Sequence, residues 1–231
     1  MKKILSVCLV SVLAMSAVQA APAHLKRNSD GSYNVTYDYK NKAKTGWYVG
    51  GRLGLSMLNF TNEYTDQGVE VGSDEYSFEQ LFGGNVFAGR TFKYFYRAEL
   101  EAGLIGRFSD AGSGTDFKLT VPYVMLNGYY DFANGLYVGA GAGIALPTTE
   151  FDSTHFYGGD SKEMSVSPIA GLMLGWSHKL DDSLVLDLRY RLSGFMGHEH
   201  ERTFAGTGDI IKSNIDFVLD NSLSVGLRYE F

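Results

Sequence analysis

Residues 184–193 read LVLDLRYRLS. Leu184, Leu186, Leu188, Tyr190 and Leu192 fall on one parity. Asp187, Arg189, Arg191 and Ser193 fall on the other. A period of two is the mark of a β-strand, whose successive side chains point to opposite faces. In a soluble sheet the aliphatic face would be buried and the charged face wet. The rest of the chain argues for the reverse arrangement.

The same alternation returns four more times. Trp47, Val49, Leu53, Leu55 and Met57 oppose Tyr48, Gly50, Arg52, Gly54 and Ser56. Tyr96, Ala98, Leu100, Ala102 and Leu104 oppose Arg97, Glu99, Glu101 and Gly103. Leu136 to Leu146 sets Val138, Ala140, Ala142 and Ile144 against Tyr137, Gly139, Gly141 and Gly143. Leu223, Val225, Leu227, Tyr229 and Phe231 oppose Ser222, Ser224, Gly226, Arg228 and Glu230. The charged parity also carries most of the glycines. Small and charged residues together suit a crowded barrel interior, and the large aliphatics then face lipid. That crowding accounts for Gly139, Gly141 and Gly143, whose spacing does not match a phosphate loop.

Segments 82–91, 119–132 and 166–178 alternate less cleanly, and a β-bulge would account for the slip. In the second, Val124, Leu126, Tyr130 and Phe132 are assigned outward, and Tyr123, Asn127, Tyr129 and Asp131 inward. Eight strands result. Short turns at 92–94, 133–135 and 181–183 alternate with long polar segments at 62–77, 109–117, 147–163 and 194–214. This is the layout of an all-β, eight-stranded antiparallel transmembrane barrel with short periplasmic turns and four long extracellular loops. A soluble lipocalin-like barrel would need the leucine-rich parity inside.

Composition agrees. The 231 residues include 28 Gly, 15 Tyr and 15 Phe but 4 Pro. The mean hydropathy of −0.10 excludes a polytopic helical membrane protein. With 45% hydrophobic residues the chain is not disordered, and with 1 Cys it is no disulfide scaffold. A formal charge of −6 argues against nucleic acid. Residues 1–20 read as a secretory signal: Lys2 and Lys3, an apolar run from Ile4 to Ala14, and small residues Val18 and Ala20 for cleavage. Residues 21–45 form a polar periplasmic arm holding Lys26, Arg27, Lys40, Lys42 and Lys44, in which 33–39 has strand character. Residues 46–231 form the barrel.

YFYRAELEAGL (94–104), VPYVMLNGYYDF (121–132) and LSVGLRYEF (223–231) resemble small outer-membrane β-barrels of the opacity-protein and OmpA/OmpX-like group. The resemblance implies that Leu223, Val225, Leu227, Tyr229 and Phe231 form the signal read by the barrel-assembly machinery. It also implies a surface role, structural or adhesive, through the extracellular loops. No peptidoglycan-binding domain is expected after the barrel.

Candidate functional residues follow from the two faces. Arg52, Arg97, Glu99, Glu101, Arg107, Asp187, Arg189, Arg191, Arg228 and Glu230 are expected to form an interior charge network, because a charge buried alone is costly and pairing offsets the cost. Trp47, Phe92, Tyr94, Phe95, Tyr130, Phe132, Tyr137, Trp176, Tyr229 and Phe231 are expected to form an interfacial girdle. Loop aromatics Tyr64, Tyr76, Phe78, Phe151, Phe156, Tyr157, Phe195 and Phe204 are expected to be exposed to partners. These would be lipopolysaccharide or a host-surface ligand. A monomer without cofactor is expected. A narrow porin-like channel is the alternative, followed by a lipid-modifying enzyme. Catalysis has weak support: Ser177 and His178 are adjacent and so point to opposite faces, and His198 with His200 supplies only two metal ligands.

Overall fold

The computed structural model describes residues 23–27, 33–37, 45–66, 69–92, 95–112, 115–153, 161–197, 199–203, 210–215 and 217–231. The signal segment 1–20 lies outside them. The strands are β1 (Ala23–Arg27), β2 (Tyr33–Tyr37), β3 (Gly46–Asp66), β4 (Val69–Phe92), β5 (Tyr96–Gly112), β6 (Thr115–Asp131) and β7 (Leu136–Ala145). They continue with β8 (Thr148–Ser153), β9 (Ser161–Met164), β10 (Ser167–Lys179), β11 (Leu184–Met196), β12 (Glu199–Thr203), β13 (Ile210–Ile215) and β14 (Phe217–Glu230). β1 and β2 pair with each other within the arm.

Eight strands close a ring in the order β3, β4, β5, β6, β7, β10, β11, β14 and back to β3, every neighbour antiparallel. Lipid offers no hydrogen bonds, so the ladders must leave no edge within the membrane. β14 meets β3 with Leu223 opposite Leu55 and Val225 opposite Leu53. The turns beneath are short. In one, the Leu136 amide donates to Asn134 Oδ1 at 3.1 Å, and Gly135 takes a φ of 88° that its missing Cβ permits.

In the membrane-spanning half the parities sort by medium. Leu53, Val86, Leu100, Leu126, Leu172 and Leu223 point outward and are exposed. Tyr48, Arg52, Arg97, Glu99, Asn127, Arg189 and Arg228 point inward and are buried. Segment 119–132 takes the parity assigned from the sequence, with Val124, Leu126, Tyr130 and Phe132 outward and Tyr123, Asn127 and Tyr129 buried. Inward glycines lie against rings from neighbouring strands, Tyr137 at Gly175 and Tyr129 at Gly139.

Above that half the polarity inverts. The inner face becomes Leu58, Phe60, Leu81, Ile105, Leu119, Val121, Phe195, Ile215 and Val218, all buried in one cluster. The outer face of β4 and β5 becomes polar, with Gln80, Arg107 and Ser109 exposed. This is the pattern of a sheet in water. The segments 62–77, 109–117, 147–163 and 194–214 therefore correct the expectation of loops: much of each is strand, continuing the staves or forming the added hairpins β8–β9 and β12–β13. A polar composition reads as loop, but a hairpin in water needs only backbone partners and one covered face. Phe195, expected exposed, belongs to the buried cluster. Phe156, Tyr157 and Phe204 lie outside the described residues, as do the side chains of Tyr64, Tyr76, Phe78 and Phe151.

The β4–β5 ladder ends at Gly84 opposite Leu104. Beyond it β4 stays paired with β3, and β5 with β6. β13 adds to β3 and β12 to β13, while β8 adds to β6 and β9 to β8. β12 and β13 thus extend the sheet at β3, and β8 and β9 extend it at β6.

The boundary between the regimes is testable by charge insertion. Leu53→Lys, in the lipid-facing belt, is expected to lower stability by about 2–4 kcal/mol, and Gln80→Lys, beyond the belt, by about 0–1 kcal/mol. Urea unfolding of the two variants in lipid vesicles reads the difference.

Candidate functional site

The interior is built around two carboxylates on β5. Glu99 accepts from Arg52 Nη1 at 3.0 Å and Nη2 at 3.2 Å, and from the hydroxyls of Tyr48 (3.2 Å) and Tyr129 (3.1 Å). Glu101 accepts from Arg189 Nη2 at 3.0 Å, Arg191 Nη1 at 3.1 Å and Asn127 Nδ2 at 3.2 Å, and from the Tyr123 hydroxyl. Two residues apart on one strand, both carboxylates face the lumen, and eight strands leave it narrow enough for side chains to reach across.

Arg52 also crosses to β11, donating from Nε to Asp187 Oδ1 at 2.8 Å, while its guanidinium carbon stands 3.7 Å from the Phe87 ring centroid. Asp187 accepts further from Tyr137 (2.9 Å) and Ser177 (3.3 Å). Toward the periplasm, Arg97 holds Asp131 at 2.7 Å and Arg228 holds Glu230 at 3.0 Å. Lys179 stands 3.8 Å from Glu230. The Nη atoms of Arg97 have no hydrogen-bond partner. The guanidinium instead lies 4.6 and 4.8 Å from the ring centroids of Tyr129 and Tyr137, within cation–π range.

Among the described residues the fully buried charges balance. Arg52, Arg97, Arg189, Arg191 and Arg228 face Glu99, Glu101, Asp187, Asp220 and Glu230. Asp220 escapes the sequence reading because the alternation of the last strand is taken only from Ser222 and Leu223 onward. Carrying the parity of Arg228, Gly226, Ser224 and Ser222 back two residues would have found it. It pairs with Arg191 at 3.3 Å and accepts from Ser193 at 3.0 Å. The tyrosines that finish the network, Tyr48, Tyr123, Tyr129 and Tyr137, carry no sequence signal beyond inward parity.

Arg107 is the correction to the charge list. Its side chain is 61% exposed and stands 3.8 Å from Glu150 on the outer surface. The register shifts between Leu104 and Arg107, so Ile105 and Gly106 are both buried and the next residue swings outward. A β-bulge re-aims a side chain in this way.

Trp47, Phe92, Tyr130, Phe132, Tyr229 and Phe231 are exposed at the short-turn end. Phe95 is half-buried and stacks on Tyr130, and Trp176 is half-buried and stacks on His178. Arg90 stands 5.5 Å from the Trp47 ring and 5.4 Å from Phe92. Tyr137 is the correction here: it is wholly buried, because its inward parity outweighs its position near the turn. Tyr94 lies outside the described residues, and Tyr96, not anticipated, joins the exposed row. Leu223, Val225, Leu227, Tyr229 and Phe231 all point outward along β14.

Ser177 is buried against Asp187, while His178 is exposed on the opposite face. Among the described residues no cluster of three or more His, Cys, Asp or Glu is placed to hold a metal. His198 and the side chain of His200 lie outside them.

A closed eight-stranded barrel, aliphatic outside and ion-paired inside, defines an outer-membrane protein. The chain belongs to the OmpA-like transmembrane domain family, whose model matches residues 42–231, and its place is the outer membrane. Similar solved structures include the Neisserial surface protein NspA, 21% identical, with 81% of this chain and 98% of that one covered and a TM-score of 0.48. OprG from Pseudomonas aeruginosa is 14% identical, with 82% and 98% covered and a TM-score of 0.49. Ail, the attachment invasion locus protein of Yersinia pestis, is 13% identical, with 80% and 99% covered and a TM-score of 0.47. No curated protein sequence matches the chain.

Glu101→Gln leaves Arg189 and Arg191 short of a buried counter-charge and is expected to lower stability by about 3–5 kcal/mol. Arg107→Gln, which loosens an exposed pair, is expected to change it by about 1 kcal/mol or less. Unfolding midpoints in urea separate the two.

Proposed function

We propose that this outer-membrane protein is a non-catalytic surface-interaction protein. Its barrel is a closed support, and its extracellular strands and their tips present the binding surface to a host-surface ligand. The observation that carries this reading is the filled lumen. The ion network occupies the membrane half and an apolar layer occupies the half above it. A cavity of about 20 Å³ beside Arg189, Arg191 and Tyr123 has room for one water. A narrow channel, the second reading, would require both layers to move.

The same proposal takes residues 1–20 as a cleaved signal, 21–45 as a periplasmic arm, and the outward row Leu223, Val225, Leu227, Tyr229 and Phe231 as the feature that the assembly machinery reads. It takes the folded protein as a monomer without cofactor.

Two measurements test it. Cells carrying the wild type are expected to bind host-cell surfaces more than cells carrying a barrel with 148–164 and 199–215 replaced by short turns. Purified protein in planar bilayers is expected to give no stable conductance. Equal binding by the trimmed barrel, or stable channels passing sugars, would overturn the reading.

A further inference from the structure

The bulge that removes Arg107 from the lumen delivers it to a particular place. On β5 it is the next outward residue after Leu104, the last lipid-facing residue of that strand, with Ile105 and Gly106 buried between them. In register beside it on β6 is Thr120, then Thr148 on β8 and Met164 on β9. The next row outward runs Ser109, Lys118, Glu150, Lys162. Lys162 Nζ is 2.7 Å from Glu150, with Arg107 on the other carboxylate oxygen at 3.8 Å. The Lys162 ammonium, by hydrogen bond and charge, with Arg107 and Lys118 adding to it, holds the Glu150 carboxyl below its ordinary range.

Three cations thus surround one carboxylate among the side chains described. The cations stand on the first two outward rows beyond Leu104, at the edge of the lipid-facing belt. On the membrane side of Lys162 the same strand and its exit expose Met164 at 62% and Val166 at 67%. Large apolar side chains at that exposure, directly beneath a cation cluster at the edge of the lipid belt, match an amphiphile with a phosphorylated head and an apolar body. A soluble anion has no use for the apolar half. Basic residues at a membrane surface attract anionic headgroups, each adding to the binding.

We infer that Arg107, Lys118 and Lys162 form a site on the outer wall of the barrel for the phosphorylated headgroup of an outer-leaflet glycolipid, with Met164 and Val166 against its acyl region. The site is on the wall below the extracellular tips, and lipid binding by the purified full-length barrel reads it separately from host-cell binding by the trimmed one, which lacks Glu150, Lys162 and Met164. Glu150 opposes the ligand, because it repels an anionic headgroup and competes with it for Lys162 and Arg107.

Native mass spectrometry of the full-length barrel in detergent tests this with bisphosphorylated lipid A, the same lipid dephosphorylated, and inorganic phosphate as competitor. The wild type is expected to retain the bisphosphorylated lipid in preference to the dephosphorylated one. Arg107→Gln with Lys118→Gln and Lys162→Gln is expected to weaken binding on the order of a hundredfold, and each single change about fivefold. Glu150→Gln is expected to strengthen it about fivefold, since a repelling charge is lost. A purely structural ion cluster gives the opposite sign, because Glu150→Gln would then free Lys162 and weaken any lipid contact. The opposed signs of Arg107→Gln and Glu150→Gln serve even if the triple variant does not fold, and heat-modified gel mobility reports folding. Unchanged binding in the cation variants, equal retention of the dephosphorylated lipid, weaker binding by Glu150→Gln, or full displacement by inorganic phosphate would overturn the inference.

Discussion

Everything in this molecule follows from the absence of hydrogen-bonding solvent in the middle of a bilayer. Each backbone amide of the spanning strands must find its partner in a neighbouring strand, so the last strand has to return to the first. The β14–β3 ladder does that over most of the length of β14. Closure at eight strands then fixes a lumen only as wide as the side chains that fill it. With leucines committed to lipid, the inward positions are left for residues that can be satisfied by one another. Five guanidinium groups and five carboxylates answer that demand, with tyrosine hydroxyls and rings completing their shells.

The spanning half was legible in the sequence because it obeys one rule throughout: a strict period of two with lipid on one side. Arg52, Glu99, Asp187 and Arg228 could each be oriented from their neighbours alone. Arg107 could not, because one extra residue between Leu104 and Arg107 shifts the parity, and a bulge leaves no mark in composition. Tyr137 shows two cues in conflict. Nearness to a turn suggested the girdle and parity suggested the lumen, and the backbone geometry that sets parity is the stiffer constraint.

The extracellular half was hardest to read because the rule changes sign there. Ser56 ends a polar inner face and Leu58 begins an apolar one on the same strand, without any break in alternation. Scored by a membrane rule, the outward polar residues above that level look like loop. Scored by the rule for a sheet in water they are ordinary strand. The chain is one continuous sheet in two solvents, and the level at which its inner and outer faces exchange polarity marks the membrane surface from the protein side. Asp220 has a different cause: it is an inward charge that keeps the parity of the spanning half, one inward position before Ser222.

The reach of Arg52 has a consequence in time. Its partner Glu99 lies 47 residues downstream and its partner Asp187 lies 135 downstream. A sheet inserted strand by strand from the N-terminus would hold this arginine against hydrocarbon with half its counter-charge still outside. Contacts of such separation form late, and a buried charge without its mate is strongly unfavourable. The strands therefore gain little by entering lipid singly. Entry into the bilayer and neutralisation of the lumen become the same event, completed when β11 and β14 arrive, and a chain stalled before them would be held back at the membrane surface.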